Sequence, residues 1–275
     1  MWDGQYAFEK SKIIQGDCLE KMKIIPDGSI DLIICDAPYG KLINEKWDSK
    51  NGLDLDILNE YFRILKETGS IYIFCGIGEK SYSLYENLKM LYNTDFIFKD
   101  LITWKKQKGY GARKGWLYVR EEIIWVAKNK PFWNEENQYN ENEKRNYKRK
   151  IGKSWYKRLT NVWDDINENL FEKINVDRLN GEWHNNLNKK YPTLHKTIKP
   201  VKLIERIIKA HTKNGMVVLD NFAGSGTTGE ACINLSRDFI LIEKEPKYYE
   251  VIKERVGKIF KNYGLDLQPL LNEQM

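Results

Sequence analysis

Short runs of apolar residues, each closed by an acid or a glycine, set the frame of this chain. Lys12-Ile13-Ile14-Gln15-Gly16 runs into Asp17, Ile30-Asp31-Leu32-Ile33-Ile34-Cys35 into Asp36, and Ile71-Tyr72-Ile73-Phe74-Cys75 into Gly76. Met216-Val217-Val218-Leu219 ends on Asp220, and Phe239-Ile240-Leu241-Ile242 on Glu243. Runs this short and this apolar predict strands buried on both faces. Phe96–Trp104 and Glu122–Ala127 predict two more. Between them the period changes. Leu55, Leu58, Phe62 and Leu65 predict a helix over Leu53–Lys66, stopped by Thr68-Gly69. Pro200 suits a first helical position, with Leu203, Ile204, Ile207 and Ile208 on one face and Asn214-Gly215 as the stop. A further helix follows a glycine-rich turn as far as Leu235. Pro246 opens a last one, with Tyr249, Ile252, Val256 and Ile259 on one side. Strands alternating with helices predict an α/β fold with a mostly parallel central sheet and helices on both faces.

The pattern fades from Lys128 to about Leu194, a stretch rich in Asn, Lys, Glu and Tyr. It reads as a loop-rich insert, dividing the chain into 1–127, 128–194 and 195–275. Charge sharpens that reading. The chain carries a formal net charge of +6 over 275 residues, but Lys105–Thr160 holds 16 Lys/Arg against 6 Asp/Glu, leaving −4 for the rest. Ten aromatics, including Trp116, Trp125, Trp133 and Trp155, lie among those cations. Cations mixed with aromatics suit a polyanion with stackable bases better than solubility alone requires. With 41% hydrophobic and 31% charged residues, and no apolar run near the roughly 18 residues that span a bilayer, a soluble protein is expected. Met1-Trp2-Asp3-Gly4 begins no secretory signal, so the cytoplasm is the expected compartment. Cys18, Cys35, Cys75 and Cys232 form no Cys-x-x-Cys pair, and His184, His195 and His211 have no metal-site spacing. Free thiols and no metal are expected.

Asp220-Asn221-Phe222-Ala223-Gly224-Ser225-Gly226-Thr227-Thr228-Gly229 joins a strand to a helix. Its glycines allow a tight turn and close backbone approach to a ligand, and the free N–H groups at the helix start favour an anionic group. Glu243 closes the next strand, where a carboxylate can accept from two ribose hydroxyls. The same residues match the G-x-G-x-x-G dinucleotide fingerprint, so a nicotinamide-dependent enzyme is a rival. About 50 residues follow Gly224, too few for the remaining strands of a dinucleotide fold, and that reading leaves Asp36-Ala37-Pro38-Tyr39 without a task.

That tetrapeptide follows a buried strand directly, at the end where parallel sheets bind ligands. Alone it reads as an ordinary turn; beside the glycine-rich turn and Glu243 it reads as chemistry. The exocyclic amine of a base is a poor nucleophile because its lone pair is delocalised into the ring. Two acceptors, the Asp36 carboxylate and the Ala37 carbonyl, would draw the nitrogen toward tetrahedral geometry. Pro38 restricts the backbone that aims the carbonyl. Tyr39 can stack on the base, which must be flipped from its duplex to be reached.

These residues resemble the β-class amino methyltransferases of DNA, over roughly Lys12 to Val256. In that family the catalytic motif comes early, a variable target-recognition region in the middle, and the cofactor's glycine motif late. The resemblance implies a permuted Rossmann-like methyltransferase fold with S-adenosylmethionine as cofactor and double-stranded DNA as partner; it also admits a homodimer. It implies catalytic roles for Asp36, Ala37, Pro38 and Tyr39. Gly16-Asp17-Cys18 is similar to the family's contact to the cofactor's adenine. His195-Lys196-Thr197-Ile198-Lys199-Pro200 is similar to its His-Pro-Thr-Gln-Lys-Pro element, which touches the methionine part and implies cofactor contacts for His195, Thr197 and Lys199. Asp220, Phe222, Ala223, Gly224, Ser225, Gly226 and Thr227 resemble its glycine motif, and Glu243 its ribose acid. Tyr39-Gly40 to Lys46-Trp47-Asp48 and Asn161-Val162-Trp163 resemble other recurrent elements. Ala37 stands where the family has proline, and Lys196 and Ile198 where it has proline and glutamine.

The resemblance implies methylation of adenine N6, because an Asp opens the catalytic motif; cytosine N4 shares every other feature. Cytosine C5 chemistry would need a thiolate, and Cys35 is expected to point into the sheet. Structured RNA as substrate, and a nucleic-acid-binding protein that has lost activity through Ala37, also stay open at this level.

Overall fold

The computed structural model describes residues 6–40, 51–77, 81–110, 116–144, 156–166 and 198–272. His195, Thr197, the Lys46-Trp47-Asp48 segment and much of the stretch read as an insert lie outside the described residues. The strands are β1 (Lys12–Gln15), β2 (Ile30–Cys35), β3 (Leu65–Cys75), β4 (Ile97–Tyr110), β5 (Tyr118–Ala127), β6 (Tyr139–Lys144), β7 (Tyr156–Arg158), β8 (Val162–Trp163), β9 (Val217–Asp220) and β10 (Asp238–Glu243). The helices are α1 (Cys18–Met22), α2 (Leu55–Ile64), α3 (Ser83–Tyr92), α4 (Val201–His211), α5 (Thr227–Asn234), α6 (Pro246–Asn262) and α7 (Gln268–Leu271).

Eight strands form one sheet in the order β1-β10-β9-β2-β3-β5-β4-β8. Within it only β5 runs against its neighbours. The expected mostly parallel α/β sheet is therefore present, and so is the permutation, since β9 and β10 from the end of the chain slot between β1 and β2. One consequence governs the site. The ends of β1, β2, β9 and β10 share one edge, the edge where open parallel sheets bind ligands. The start of the reversed β5 joins them, with Glu122 opposite Cys75 and Glu121 opposite Trp104. Val162–Trp163, inside the stretch read as an insert, pairs with Thr103–Trp104 and extends the sheet. β6 and β7 form a separate antiparallel ladder.

Alternation along the strands divides the core into two layers. Leu32, Ile34, Tyr72, Phe74, Val218 and Leu241 face α4, α5 and α6. Ile33, Cys35, Ile71, Ile73, Leu219 and Ile242 face α1, α2 and α3. β2 is buried at every position, which is why it has no polar face in sequence; each fully buried Ile or Leu contributes about 2 kcal/mol. Caps fix the helices beneath the site: Asp17 accepts from Leu19 N at 3.1 Å and Asp54 from Ile57 N at 2.9 Å. His211 is buried at the end of α4, 2.8 Å from the Tyr72 hydroxyl and 2.8 Å from the Phe132 carbonyl. Burial pushes its pKa down to about 4, so it is a neutral packing residue near pH 7.

Several boundaries differ from the sequence pattern. Thr68-Gly69 lies inside β3, which starts directly at Leu65 and shifts register against β2 between Ile30 and Leu32. Pro200 caps α4 and is not its first residue, and α4 stops at His211, before Asn214-Gly215. In α6 the buried stripe is Tyr248, Val251, Ile252, Arg255, Val256 and Phe260. Arg255 breaks the apolar pattern because it is buried for its bonds, to Glu230 at 2.7 Å and to the Ser225 carbonyl at 3.0 Å. α3 was hidden for a similar reason: its buried face includes Ser83 and Asn87.

Candidate active site

The Asp36–Tyr39 turn is clamped from outside. Gly52 N donates to the Pro38 carbonyl at 2.9 Å, and Tyr39 bridges Asn51. Ser81 Oγ donates to the Tyr39 carbonyl at 3.1 Å. The clamp needs a glycine: a Cβ on Gly52 would lie 2.4 Å from Pro38 Cδ. This close approach supplies rigidity from the neighbouring segment to a turn that has Ala37 where the family has a second proline.

Charged groups meet above the turn. Lys199 Nζ lies 2.8 Å from each oxygen of Asp36, and the Tyr39 hydroxyl donates to Asp36 Oδ1 at 2.8 Å. Lys199 Nζ also approaches the Tyr39 oxygen at 3.2 Å and Glu121 Oε2 at 3.3 Å. Glu121 in turn pairs with Lys106. Phe74 and Tyr39 place ring faces 5.0 and 5.4 Å from the same ammonium. Burial alone would discharge Lys199, but Asp36 and Glu121 outweigh it and hold its pKa above the ordinary lysine value. Burial would likewise lift Glu121, yet Lys199 and Lys106 keep it below the usual carboxylate range. Tyr39 is pushed well above its ordinary pKa, first by burial and then by the Asp36 and Glu121 charges, so its hydroxyl remains a donor. Asp36 is the more open member of its pair with Lys199: its side chain is 26% exposed against 6% for the lysine.

A second group of carboxylates lies along the same edge. Asp220 accepts from Phe222 N at 3.1 Å and Thr228 Oγ1 at 2.5 Å. Glu243 accepts from Gly224 N at 2.8 Å with one oxygen and Glu245 N at 2.8 Å with the other. Burial pushes Asp220 up to about 7, with the nearby Asp36 and Glu243 charges adding to the effect. Glu243 is also raised, by burial first. Asp17 sits lower than usual, because Lys244 and the backbone N–H of Leu19 outweigh its burial. Arg255 ties Ser225 and Thr227 from behind, with NH1 3.0 Å from Thr227 Oγ1. Gly226 turns at φ +77°, and a Cβ on Gly229 would lie 2.8 Å from Leu241 Cδ1, so α5 packs onto β10 only with glycine there.

This end fits the cofactor that the resemblance implies. It offers carboxylates for ribose hydroxyls, a tight glycine turn, and a buried negative surplus that a cationic ligand would relieve. Asp17, Asp220, Gly224, Ser225, Gly226, Thr227 and Glu243 are gathered along it, with Cys18 opening α1 and Phe222 and Ala223 in the glycine turn. Lys199 is placed on Asp36, at the Asp36–Tyr39 turn. The Cys35 thiol is buried and its pKa raised, so it is no nucleophile. Sequence reasoning passed over Glu121, Lys106, Gly52 and Ser81. The available signal was Glu121-Glu122 directly before the apolar run Ile123–Ala127 of β5, an expensive place for acids unless they have partners.

Comparison with known proteins agrees with the geometry. The DNA methylase family model, covering N6 and N4 enzymes, matches residues 30–254. The chain is 32% identical to the Type II methyltransferase M.HinfI of Haemophilus influenzae, over 91% of this chain and 69% of that protein. It is 30% identical to the DNA adenine methyltransferase YhdJ of Escherichia coli K12, over 90% of this chain and 83% of the relative. Its fold matches the crystal structure of an M1.HpyAVI–SAM complex with TM-score 0.58 and 27% identity, covering 89% of this chain and 98% of the other. The nicotinamide-enzyme reading of the glycine turn is thereby set aside: this chain belongs to the DNA methylase family of amino methyltransferases.

Proposed function

We propose that the chain transfers a methyl group from S-adenosylmethionine to N6 of adenine in double-stranded DNA, with Asp36 as the acceptor that holds the amine. The observation that carries this is the Asp36 carboxylate, fixed at the end of β2 yet partly exposed, beside the carboxylate-lined end of β9 and β10. The adenine relative and the Asp that opens the motif favour adenine over cytosine N4.

S-adenosylmethionine, when bound, supplies an electrophilic methyl group on a sulfonium. The chain's own residues do the rest. Asp17, Asp220, the Gly224–Thr227 turn and Glu243 would hold the cofactor. Asp36 Oδ2 and the Ala37 carbonyl accept the two N–H bonds of the amine. Drawing both toward the protein orients the nitrogen lone pair away from the ring, so positioning and electrostatics lower the barrier. The amine's surplus proton leaves through the Asp36 contact. Tyr39 fixes Asp36 through its hydroxyl, and its ring is the base's stacking partner in this reading. Residues 128–194 act as the target-recognition unit between the catalytic and cofactor halves, their cations binding phosphates. No helix among the described residues is long and apolar enough to cross a membrane, and a cytoplasmic enzyme, active as a homodimer in a restriction-modification setting, completes the proposal.

The test is methyl transfer from labelled S-adenosylmethionine to duplex DNA, with structured RNA as competitor. Label in DNA that RNA fails to compete away is expected. Label found only in RNA, or none with folded protein that binds the cofactor, would overturn the proposal.

A further inference from the structure

Lys199 has an arrangement that a surface lysine or a simple ligand contact does not need. Its ammonium sits equidistant from both Asp36 oxygens at 2.8 Å, within 3.2 Å of the Tyr39 oxygen and 3.3 Å of Glu121 Oε2. An ammonium has three N–H donors, and four oxygens already compete for them. Nothing is left over for a further ligand without giving one up.

We propose that Lys199 is the positioning residue of the catalytic carboxylate, and that Glu121 is the buried anchor that keeps Lys199 in place. The proposal rests on Asp36 being the amine's acceptor. It departs from the role that the His195–Pro200 resemblance implies, contact with the cofactor's methionine part.

Lys199 bridges both oxygens and so fixes rotation of the carboxylate about its last bond. Tyr39 then breaks the symmetry. Among the described residues, Oδ1 takes Tyr39 and Lys199, while Oδ2 takes Lys199 alone. With about two lone-pair sites per oxygen, Oδ2 is the atom with capacity left for a substrate N–H. The exposure runs the same way, since Asp36 is partly open and Lys199 is covered. A covered ammonium is a fixed counter-charge and not a proton shuttle to solvent. That suits the chemistry, because the amine needs an acceptor in a set place. A strong base is unnecessary, as the nitrogen becomes acidic once it carries the methyl group.

Glu121 explains how the lysine is kept there. A buried ammonium with one carboxylate could follow that carboxylate wherever it turned. Glu121 Oε2 is buried and faces Nζ at ion-pair distance, 3.3 Å. Its other oxygen is pinned by Lys106 at the far side. Four charges of alternating sign, Lys106, Glu121, Lys199 and Asp36, thus run from β4 through β5 to the catalytic turn. Their sum is zero, which makes burying the two inner ones, Glu121 and Lys199, tolerable.

The experiment compares wild type with Lys199→Met, Lys199→Arg, Glu121→Gln and Asp36→Ala in the full chain. Each is measured for kcat on duplex DNA at saturating S-adenosylmethionine, for KM of the DNA, and for calorimetric Kd of the cofactor. Lys199→Met is expected to lower kcat by about 100-fold, the cost of releasing one preorganised group, with cofactor Kd and DNA KM within about threefold of wild type. Lys199→Arg recovers about tenfold of that loss by restoring the charge. Glu121→Gln lowers kcat by about tenfold, and adds little when combined with Lys199→Met, because both act through one carboxylate. A Lys199→Met protein with unchanged kcat and a cofactor Kd raised tenfold or more would overturn the proposal and return Lys199 to the cofactor. If Lys199→Met does not fold, Glu121→Gln decides on its own: kcat unchanged overturns the proposal, while a selective kcat loss supports it. Asp36→Ala separates the layers, since full activity there would sink the underlying reading, whereas an inactive Asp36→Ala beside an active Lys199→Met sinks only the role given to Lys199.

Discussion

Two sets of carboxylates share one edge of the sheet and are handled in opposite ways. Asp36 and Glu121 are met by ammonium groups, Lys199 and Lys106. Asp220 and Glu243 are met by backbone N–H groups and a threonine hydroxyl. Glu121, Asp220 and Glu243 are all largely out of water, so burial alone would raise the pKa of each. Cations reverse that at Glu121, while amides do not at Asp220, which stays near 7. The difference teaches what each set is built for. The first is electrically complete and rigid, as a positioning device should be. The second carries an unbalanced charge that a cationic, hydroxyl-bearing ligand would complete.

Asp36→Ala gives the largest expected effect. Turnover falls about 1,000-fold or more, in the upper range for losing a proton-handling group, while calorimetry finds cofactor affinity within about threefold of wild type. Parallel losses of both would erase the distinction between the sets. Glu243→Gln should do the reverse. It keeps one acceptor oxygen for the turn but gives up the charged one, so cofactor Kd rises about 10- to 100-fold, with kcat at saturation changed far less. A Kd that stays put would remove Glu243 from the cofactor site.

Asp220→Asn probes the unbalanced charge without any ligand. Its folded-state pKa of about 7 lies above the unfolded value near 3.8, so the folded state binds the proton more tightly. Stability is therefore fully present below pH 4 and is lost as pH rises to 7 and beyond. An asparagine carries no such charge and still accepts from Phe222 N. In the cofactor-free protein it should be neutral near pH 4 and stabilising by on the order of 4 kcal/mol at pH 8, from that difference in pKa, as read from chemical denaturation at both values. Destabilisation at pH 8 would contradict the assignment. Asp54→Ala, which removes the cap of α2 outside both sets, gives the smallest effect, about 1 kcal/mol of stability. Its kcat and cofactor Kd should be unchanged, and a kinetic effect would mean that the site is sensitive to any loss of stability.

Much of the region around β9 and β10 was legible in the sequence because its determinants are local. β9 and β10 are continuous apolar runs, their terminal acids mark the sheet edge, and the glycines between them have conformational reasons to be glycine. Asp36 was legible on the same logic. The charge pairing around it was not. Lys199 is 163 residues from Asp36 in sequence, and only the permuted sheet brings them together. Glu121 depended on the direction of β5, which tertiary pairing decides and local pattern does not. The same limit hid α3, where buried polar residues at Ser83 and Asn87 interrupt the apolar period. It also turned the stripe of α6, where Arg255 takes a core position for its hydrogen bonds.

Nucleoside mass spectrometry of duplex DNA modified by the purified chain tests the central claim most directly. The account predicts N6-methyladenine, appearing only with S-adenosylmethionine and absent with Asp36→Ala. N4-methylcytosine as the product would contradict the adenine assignment, and N6-methyladenine formed equally well by Asp36→Ala would contradict the mechanism.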